Sequence, residues 1–171
     1  MKHALALLSP LALLALTAVA DPANPPLTCA STSNPTACAA VKPGPVDPLV
    51  IVSGGKDLKF EAELADTEPK RNLGLMYRAS MADTHSMIFD MGGPSDTGFW
   101  MKDCLISLDM LFLDAKGKVI AIAAQARPGS VRSVAPGFAY NAVLELNGGA
   151  SKRLGIKVGD QVKHKLFKNI A

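Results

Sequence analysis

The residues from Leu108 to Ala124 contain the pattern that constrains the fold most strongly. Two runs with strand character, Leu108–Leu113 and Lys118–Ala124, are separated by the four residues Asp114-Ala115-Lys116-Gly117. Asp at the start and Gly at the end of so short a connection are typical of a hairpin turn in which Gly117 has a positive φ. The pattern predicts two adjacent antiparallel strands and therefore a sheet protein with short connections.

Other short apolar runs extend the sheet along the chain. Leu58–Leu64 alternates, with Phe60, Ala62 and Leu64 on the buried face and Lys59, Glu61 and Glu63 on the polar face, which predicts a half-buried strand. Further predicted strands are Met87–Phe89, Tyr140–Leu146 and Lys163–Phe167.

Helix signals occur at two places. Asp66-Thr67-Glu68-Pro69 has the residues that favour a helix start, so we expect a helix from about Glu68 to Met76. Gly74 in that helix indicates either close packing against a neighbour or an early end. Ala150–Leu154 is predicted to be a second, shorter helix. The predicted fold class is mainly β (α+β): a compact antiparallel, barrel-like sheet of six to eight short strands with one packed helix.

The N-terminal third divides into two segments. Residues 1–20 have a basic start, an apolar run and Ala18-Val19-Ala20, which predicts a signal peptide cleaved after Ala20. Residues 21–56 are rich in Pro, Ser and Ala, and we expect a disordered tether. Val50–Val52 near its end is either a first short strand or the edge of the tether. The folded domain is predicted to span residues 57–170, and the mature protein to be periplasmic or secreted, with no stable membrane insertion.

Charge and cysteine content narrow the partners. The chain has 18 Lys and Arg against 15 Asp and Glu without a basic block, so we expect no nucleic-acid binding. In an oxidising compartment Cys29 and Cys38 are close enough along the chain for a disulfide, which is one possible state of the pair. Cys104, beside Leu105 and Ile106, is predicted to be a buried, inert thiol.

The segment Gly98–Asp109 is the strongest candidate for a functional site. It holds the only tryptophan, Trp100, together with Phe99, Lys102 and Asp109. In an extended segment Trp100 and Lys102 point to the same face. The pattern is typical of a ligand platform, and the alternative is that Trp100 is a core ring while Lys102 pairs with a surface acid.

Five motifs occur in a fixed order along the predicted domain. They are Arg71–Arg78 (R-N-L-G-L-M-Y-R), Met87–Phe89, Phe99–Lys102 (F-W-M-K), Leu108-Asp109, and Leu144–Leu146 with Gly155–Asp160 (G-I-K-V-G-D). The set resembles domain-of-unknown-function family 192, whose members are small, often exported prokaryotic proteins.

The resemblance covers residues 57–168. It implies a compact β-rich domain with one packed helix, and it implies no activity, cofactor or catalytic residue. The family usually has Asn and Thr where this chain has Asp103 and Cys104, and Pro where it has Ser107. If that Asn position contacts a ligand, Asp103 adds a negative charge there.

Two further pairs of side chains have the chemistry for a site. Arg71 and Arg78 are seven residues apart around the predicted helix, on the same side and two turns apart, as a clamp for carboxylate or phosphate requires. Alternatively, at least one of them pairs with Glu145 or Asp160. Asp109 and Glu145 are candidates for a pair of catalytic carboxylates, or they hold backbone groups or arginine.

Catalytic and metal chemistry is poorly supplied elsewhere. A Cys104–His85 nucleophile–base pair is a weak candidate, because the cysteine lies in an apolar run and the histidine in a polar loop. No hydrolase, phosphate-loop or metalloprotease motif is present, and we predict no cofactor and no metal site.

Three functional hypotheses remain. The preferred one is an exported module that binds a small polar or anionic ligand, or a saccharide, near Trp100, Lys102, Asp103, Arg71 and Arg78. The second is an envelope-glycan enzyme that uses Asp109 and Glu145. The third is a structural or protein-interaction module, and enzymatic activity is the less favoured reading overall.

Overall fold

The computed structural model describes residues 45–170. Seven strands, two short helices and a 3-10 turn make up this part of the chain. In order they are β1 (Val46–Ser53), β2 (Lys56–Ala65), α1 (Glu68–Leu73), β3 (His85–Ser95), β4 (Leu108–Leu113), β5 (Val119–Ala126), β6 (Tyr140–Asn147), α2 (Ala150–Leu154), β7 (Gln161–Lys163) and the 3-10 turn Lys165–Phe167. The signal peptide, most of the predicted tether and the Cys29–Cys38 pair lie outside the described residues.

All seven strands belong to one sheet with the order β5-β4-β6-β3-β2-β1-β7. Five neighbouring pairs are antiparallel, and only β2 and β3 are parallel. The mainly β fold class with a curled, barrel-like sheet is confirmed. The predicted hairpin is present as β4 and β5, and Gly117 in its turn has φ 79°.

The parallel pair explains where the long helix-containing connection lies. Parallel strands need a crossover of a dozen or more residues, because the chain must return to the end from which it started. Residues 66–84, which include α1, form that crossover between β2 and β3. It covers one face of the sheet, where Leu75 and Met81 pack in a core with Met87 and Phe89.

The two faces of the sheet carry separate cores. One contains Leu49, Ile51, Leu111 and Leu144 with residues of α2 and β7, and is called the first core here. The second core lies under the crossover and alternates with the first along each strand, as in Met110 and Phe112 of β4. Strands covered on both faces read as continuous apolar runs, and every residue of β4 is buried.

Three predicted boundaries differ from the structure. Val46–Ser53, assigned to the tether, is strand β1, because Leu49 and Ile51 alternate into the first core and are 1% and 0% exposed. Helix α1 ends at Leu73 rather than Met76, because Gly74 has φ 50° and caps the helix by donating its N–H to Lys70 O. The predicted last strand is a three-residue β7 followed by the 3-10 turn Lys165–Phe167.

Gly117 joins the two edges of the curled sheet. Val162 N donates to Gly117 O at 2.8 Å, and Val119 N donates to Asp160 O at 2.9 Å, so the β4–β5 hairpin meets β7. A Cβ on Gly117 would lie 2.5 Å from Val162 O and 2.6 Å from the Phe167 ring. The close contact and the positive φ both require glycine at this position.

We expect Gly117→Ala to lower the free energy of unfolding by roughly 3 kcal/mol, because it adds a backbone clash to the left-handed strain. Gly129→Ala is the matched control, since Gly129 also has positive φ but no atom within 4 Å of its Cβ position. It should cost only about 1 kcal/mol. Urea unfolding of both variants measures the difference, and equal losses would contradict the proposed edge contact.

Candidate functional site

A cleft opens between α1 and the segment Phe99–Trp100. Its outer part is a cavity of about 320 Å³. It is lined by Arg71, Asn72, Met91, Thr97, Gly98, Phe99 and Trp100. A narrower inner cavity of about 30 Å³ continues from it, sharing the walls Arg71, Asn72, Phe99 and Trp100 and reaching Gly74, Cys104 and Glu145. The cleft therefore has a wide mouth and a closed end on the second core.

Backbone pairing places Trp100 at the mouth of this cleft. Phe99 and Val134 exchange two backbone hydrogen bonds of 2.8 and 2.7 Å, which holds the segment extended. Successive side chains then alternate, so Phe99 points inward and Met101 is fully buried. The Phe99 ring contacts the Phe89 ring edge-to-face, with 5.1 Å between the ring centroids. Trp100 between them is 51% exposed, which excludes the core-ring alternative.

Lys102 lies beside Trp100, as the extended pattern predicts. Its Nζ is 5.6 Å from the centre of the tryptophan ring, within the range of a cation–π contact. The alternative, an ion pair between Lys102 and a surface acid, is not found among residues 45–170. The ammonium group of Lys102 thus lies over the Trp100 ring, although Lys102 lines neither cavity.

The two arginines of the first motif separate. Arg71 is on α1, half-buried in the cleft wall, and its Nη1 donates to Asp90 O at 2.8 Å. Arg78 lies beyond the end of the helix and is 6% exposed. The clamp alternative is therefore excluded, because α1 ends before it can carry Arg78 on the same side. The other alternative, that at least one arginine pairs with an acid, holds for Arg78, but its partner is Glu63 rather than Glu145 or Asp160.

Arg78 is bound to a carboxylate that the sequence pattern placed on the polar face of β2. Its Nη1 and Nη2 donate to the two carboxylate oxygens of Glu63 at 2.5 and 2.9 Å. Glu63 is only 6% exposed, because the crossover covers this face of β2 as well. The alternation of polar and apolar residues in β2 does not show that the crossover buries this face. The burial of Arg78 against Glu63 shows it in the structure.

Glu145 lies in the wall of the inner cavity. It is 4% exposed and makes no hydrogen bond or ion pair with any residue between 45 and 170. Burial raises the pKa of this carboxyl group to about 8, although the charge of Arg78 acts in the opposite direction. At neutral pH the group is predominantly an uncharged carboxylic acid.

Cys104 is next to Glu145 in the same cavity. It is a free thiol, 6% exposed, and burial together with the charges of Glu145 and Asp103 raises its pKa to about 12. Such a thiol is not ionised near neutral pH, so it is not a nucleophile. His85 Nδ1 lies instead 3.6 Å from Glu61 Oε2. The Cys104–His85 nucleophile–base pair is therefore excluded.

Asp103 is held away from the cleft by Tyr77. Tyr77 Oη donates to Asp103 Oδ2 at 3.0 Å, and Tyr77 N donates to Asp103 O at 2.9 Å. Asp103 has φ 57°, a conformation that Asn and Asp tolerate better than most residues. The positive φ at this position thus explains why Asp or Asn occurs there. Asp103 does not line either cavity.

Asp109 has a structural position on the other face of the sheet. Its two oxygens accept hydrogen bonds from Gln125 N, Gly149 N and Ser151 N, and from Ser151 Oγ at 2.5 Å. Burial acts to raise the pKa of Asp109, but these four bonds outweigh it and hold the pKa below its ordinary value. The carboxylate joins β4, β5 and the start of α2.

The strand register separates Asp109 from Glu145. Asp109 is opposite Leu146, and Met110 is opposite Glu145. Since neighbouring residues of a strand point to opposite faces, the two carboxyl groups lie on opposite sides of the sheet. They cannot flank one glycosidic bond, so the catalytic alternative is excluded. Asp109 holds backbone groups instead, as the other alternative predicts.

Neither a metal centre nor a membrane helix is found in residues 45–170. No group of three His, Cys, Asp or Glu side chains there is arranged to hold a metal ion. No helix in this part of the chain is long and apolar enough to cross a membrane.

Comparisons with known proteins agree on the fold and assign no activity. The model of domain-of-unknown-function family 192, described as an uncharacterized ACR, matches residues 49–164. The structure is similar to that of a proposed transcription regulator from Sinorhizobium meliloti 1021, with 33% identity, a TM-score of 0.72 and coverage of 74% of this chain and 99% of the other. It is also similar to a protein of unknown function from Novosphingobium aromaticivorans DSM 12444, at 34% identity, TM-score 0.68, and coverage of 73% and 94%. A comparison with curated proteins gives no match.

We expect the buried acid to make folding stability depend on pH. The pKa of Glu145 is raised from an ordinary 4.5 to about 8 on folding, so its contribution is complete below about 4.5 and is lost as pH rises to about 8. Between pH 4.5 and pH 7, the free energy of unfolding of the wild-type protein should therefore fall by up to about 3 kcal/mol relative to that of Glu145→Gln.

Urea unfolding across this pH range measures that difference. Glu61→Gln is the control, because Glu61 is an exposed acid on β2, and it should keep the wild-type profile. Parallel pH profiles for wild type and Glu145→Gln would contradict a protonated Glu145.

Proposed function

This chain belongs to domain-of-unknown-function family 192, and from its cleft we propose that it is a single-domain binding module for a small polar or anionic ligand. The observation that carries the proposal is the half-exposed Trp100 ring facing the same cavity as the Arg71 guanidinium. An exposed aromatic ring beside a guanidinium group combines an apolar face with polar donors, which is the combination found in small-molecule sites.

The size and walls of the outer cavity support a small molecule. A volume of about 320 Å³ is at the lower end of the range for ligand sites. Phe99, Trp100 and Met91 supply apolar surface on which a flat ligand face can pack. A saccharide or an aromatic carboxylate has such a face with polar groups at its edge.

The polar groups of the cleft favour an anionic or oxygen-rich ligand. Arg71 Nη1 is committed to Asp90 O, which fixes the orientation of the guanidinium group. Within residues 45–170 its other nitrogens have no hydrogen-bond partner, so they are available for a carboxylate. Asn72 on the same wall adds a donor, while Lys102 lies over the Trp100 ring and lines neither cavity.

We propose further that the module acts outside the cytoplasm, after cleavage behind Ala20. The signal-peptide pattern of residues 1–20 supports this location.

Titration of Trp100 fluorescence tests ligand binding directly, because the chain has a single tryptophan. Benzoate serves as an aromatic anion and methyl α-glucoside as a neutral saccharide. We expect at least one probe to change the emission. For benzoate, Arg71→Ala should weaken binding by about ten- to a hundredfold, since a hydrogen-bonded charge is lost.

Arg127→Ala is the matched control, because Arg127 is an exposed arginine outside the cavity walls. It should leave the affinity within about twofold of wild type, as is usual for surface charges. The proposal fails if neither probe perturbs Trp100, or if Arg71→Ala binds benzoate as tightly as wild type.

A further inference from the structure

The closed end of the cleft presents a carboxyl group for which no hydrogen-bond partner is found in the described part of the chain. Glu145 is 4% exposed and lines the inner cavity, yet no residue between 45 and 170 forms a hydrogen bond with it. A buried polar group without a partner is costly, and most buried polar groups in proteins are hydrogen-bonded. A group that enters the cavity can supply the missing partner.

The inner cavity admits one small group. Its volume of about 30 Å³ is roughly the room that a water molecule or a single carbonyl oxygen needs. Trp100 and Phe99 line both cavities, so a ligand packed on Trp100 can extend a narrow end toward Glu145. The geometry therefore distinguishes two ends of the ligand.

The local charges indicate which protonation state Glu145 has. Glu63 on β2, Met87 on β3 and Glu145 on β6 are aligned side by side across the sheet. The buried cation near them is Arg78, and both of its terminal nitrogens bind Glu63. One cation thus faces two carboxyl groups, and only one of them is neutralised by direct contact.

Among residues 45–170, Arg78 is the cation whose charge acts on the pKa of Glu145, although Arg71 also lines the inner cavity. The adjacent strand β4 places Met110 opposite Glu145, and the Gly98–Asp109 segment contributes the neutral thiol of Cys104, with Asp103 behind it. Arg71 from α1 is oriented by Asp90 O in the cleft wall. An isolated ionised carboxylate is strongly disfavoured in such surroundings, and burial raises the pKa of Glu145 to about 8.

We propose that Glu145 is an uncharged hydrogen-bond donor at the closed end of the cleft, and that the ligand carries an uncharged acceptor atom there, such as a carbonyl oxygen. This inference rests on the proposed binding function and adds the chemistry of the ligand's far end. The ligand class is then a small molecule with a polar or anionic head at Arg71, a flat middle on Trp100 and a narrow, neutral acceptor. The proposal excludes ligands that place an ammonium group against Glu145 as the preferred class.

Two probes of the same shape test the acceptor directly. In 4-cyanobenzoate a nitrile nitrogen ends the molecule, and in 4-ethynylbenzoate a C–H group of equal size takes its place. We expect the nitrile to bind about tenfold more tightly, since one additional hydrogen bond is worth about that factor. Its infrared stretch should shift to higher frequency on binding, as it does when a nitrile accepts a hydrogen bond.

The pH dependence identifies the donor. Affinity for 4-cyanobenzoate should be constant at neutral pH and fall above about 8, where Glu145 ionises, while the ethynyl probe shows a smaller change. Glu145→Gln keeps an N–H donor and should retain the nitrile preference without the fall in affinity at high pH. Glu145→Met should lose the preference, and Glu61→Gln should behave as wild type.

The outcomes separate this inference from the binding proposal. Equal affinity for the two probes, or a nitrile preference that survives in Glu145→Met, overturns the donor role and leaves the cleft a binding site. Tighter binding of 4-(aminomethyl)benzoate than of the nitrile also overturns it. Failure of every probe to bind contradicts the binding function itself, and the inference fails with it.

Discussion

The pair formed by Arg78 and Glu63 is the interaction on which the candidate site depends. Two hydrogen bonds of 2.5 and 2.9 Å join the loop after α1 to β2 within the second core. Buried pairs of this kind add little net stability, because removing two charges from water is costly. Their effect here is positional: the pair holds the crossover against the sheet and commits both terminal nitrogens of Arg78 to Glu63 rather than to Glu145.

The cleft follows from the topology around this pair. A parallel β2–β3 arrangement requires the crossover, and the crossover brings α1 over the second face of the sheet. The extended segment at Phe99 then packs its aromatic ring on Phe89 and leaves Trp100 outward. Arg71 and Trp100 line the same cleft although 28 residues lie between them in the sequence, and Glu145 on β6 closes the far end.

Local sequence signals predicted much of the fold and part of the site. The β4–β5 hairpin, β6, α2 and the start of α1 follow from turn chemistry, capping residues and apolar runs. The open position of Trp100 required the structure, because a tryptophan in an apolar segment fits a core equally well. Glu63 and Asp109 illustrate the main limit: a carboxylate in a strand gives no indication of which partner, on a distant element, accompanies it into the interior. The tether boundary was misplaced because β1 is stabilised by distant elements, through pairing with β2 and β7 and burial of Leu49 and Ile51 in the first core.

The most direct test of this account is the pKa of the Glu145 side chain in the ligand-free protein. Carbon-13 NMR of the glutamate carboxyl groups, with the Glu145 signal identified by its absence in Glu145→Gln, follows that titration without any ligand. The account predicts a midpoint near 8, far above those of exposed glutamates such as Glu61. A midpoint at the ordinary value near 4.5 would show an ionised Glu145 and contradict a neutral donor at the end of the cleft.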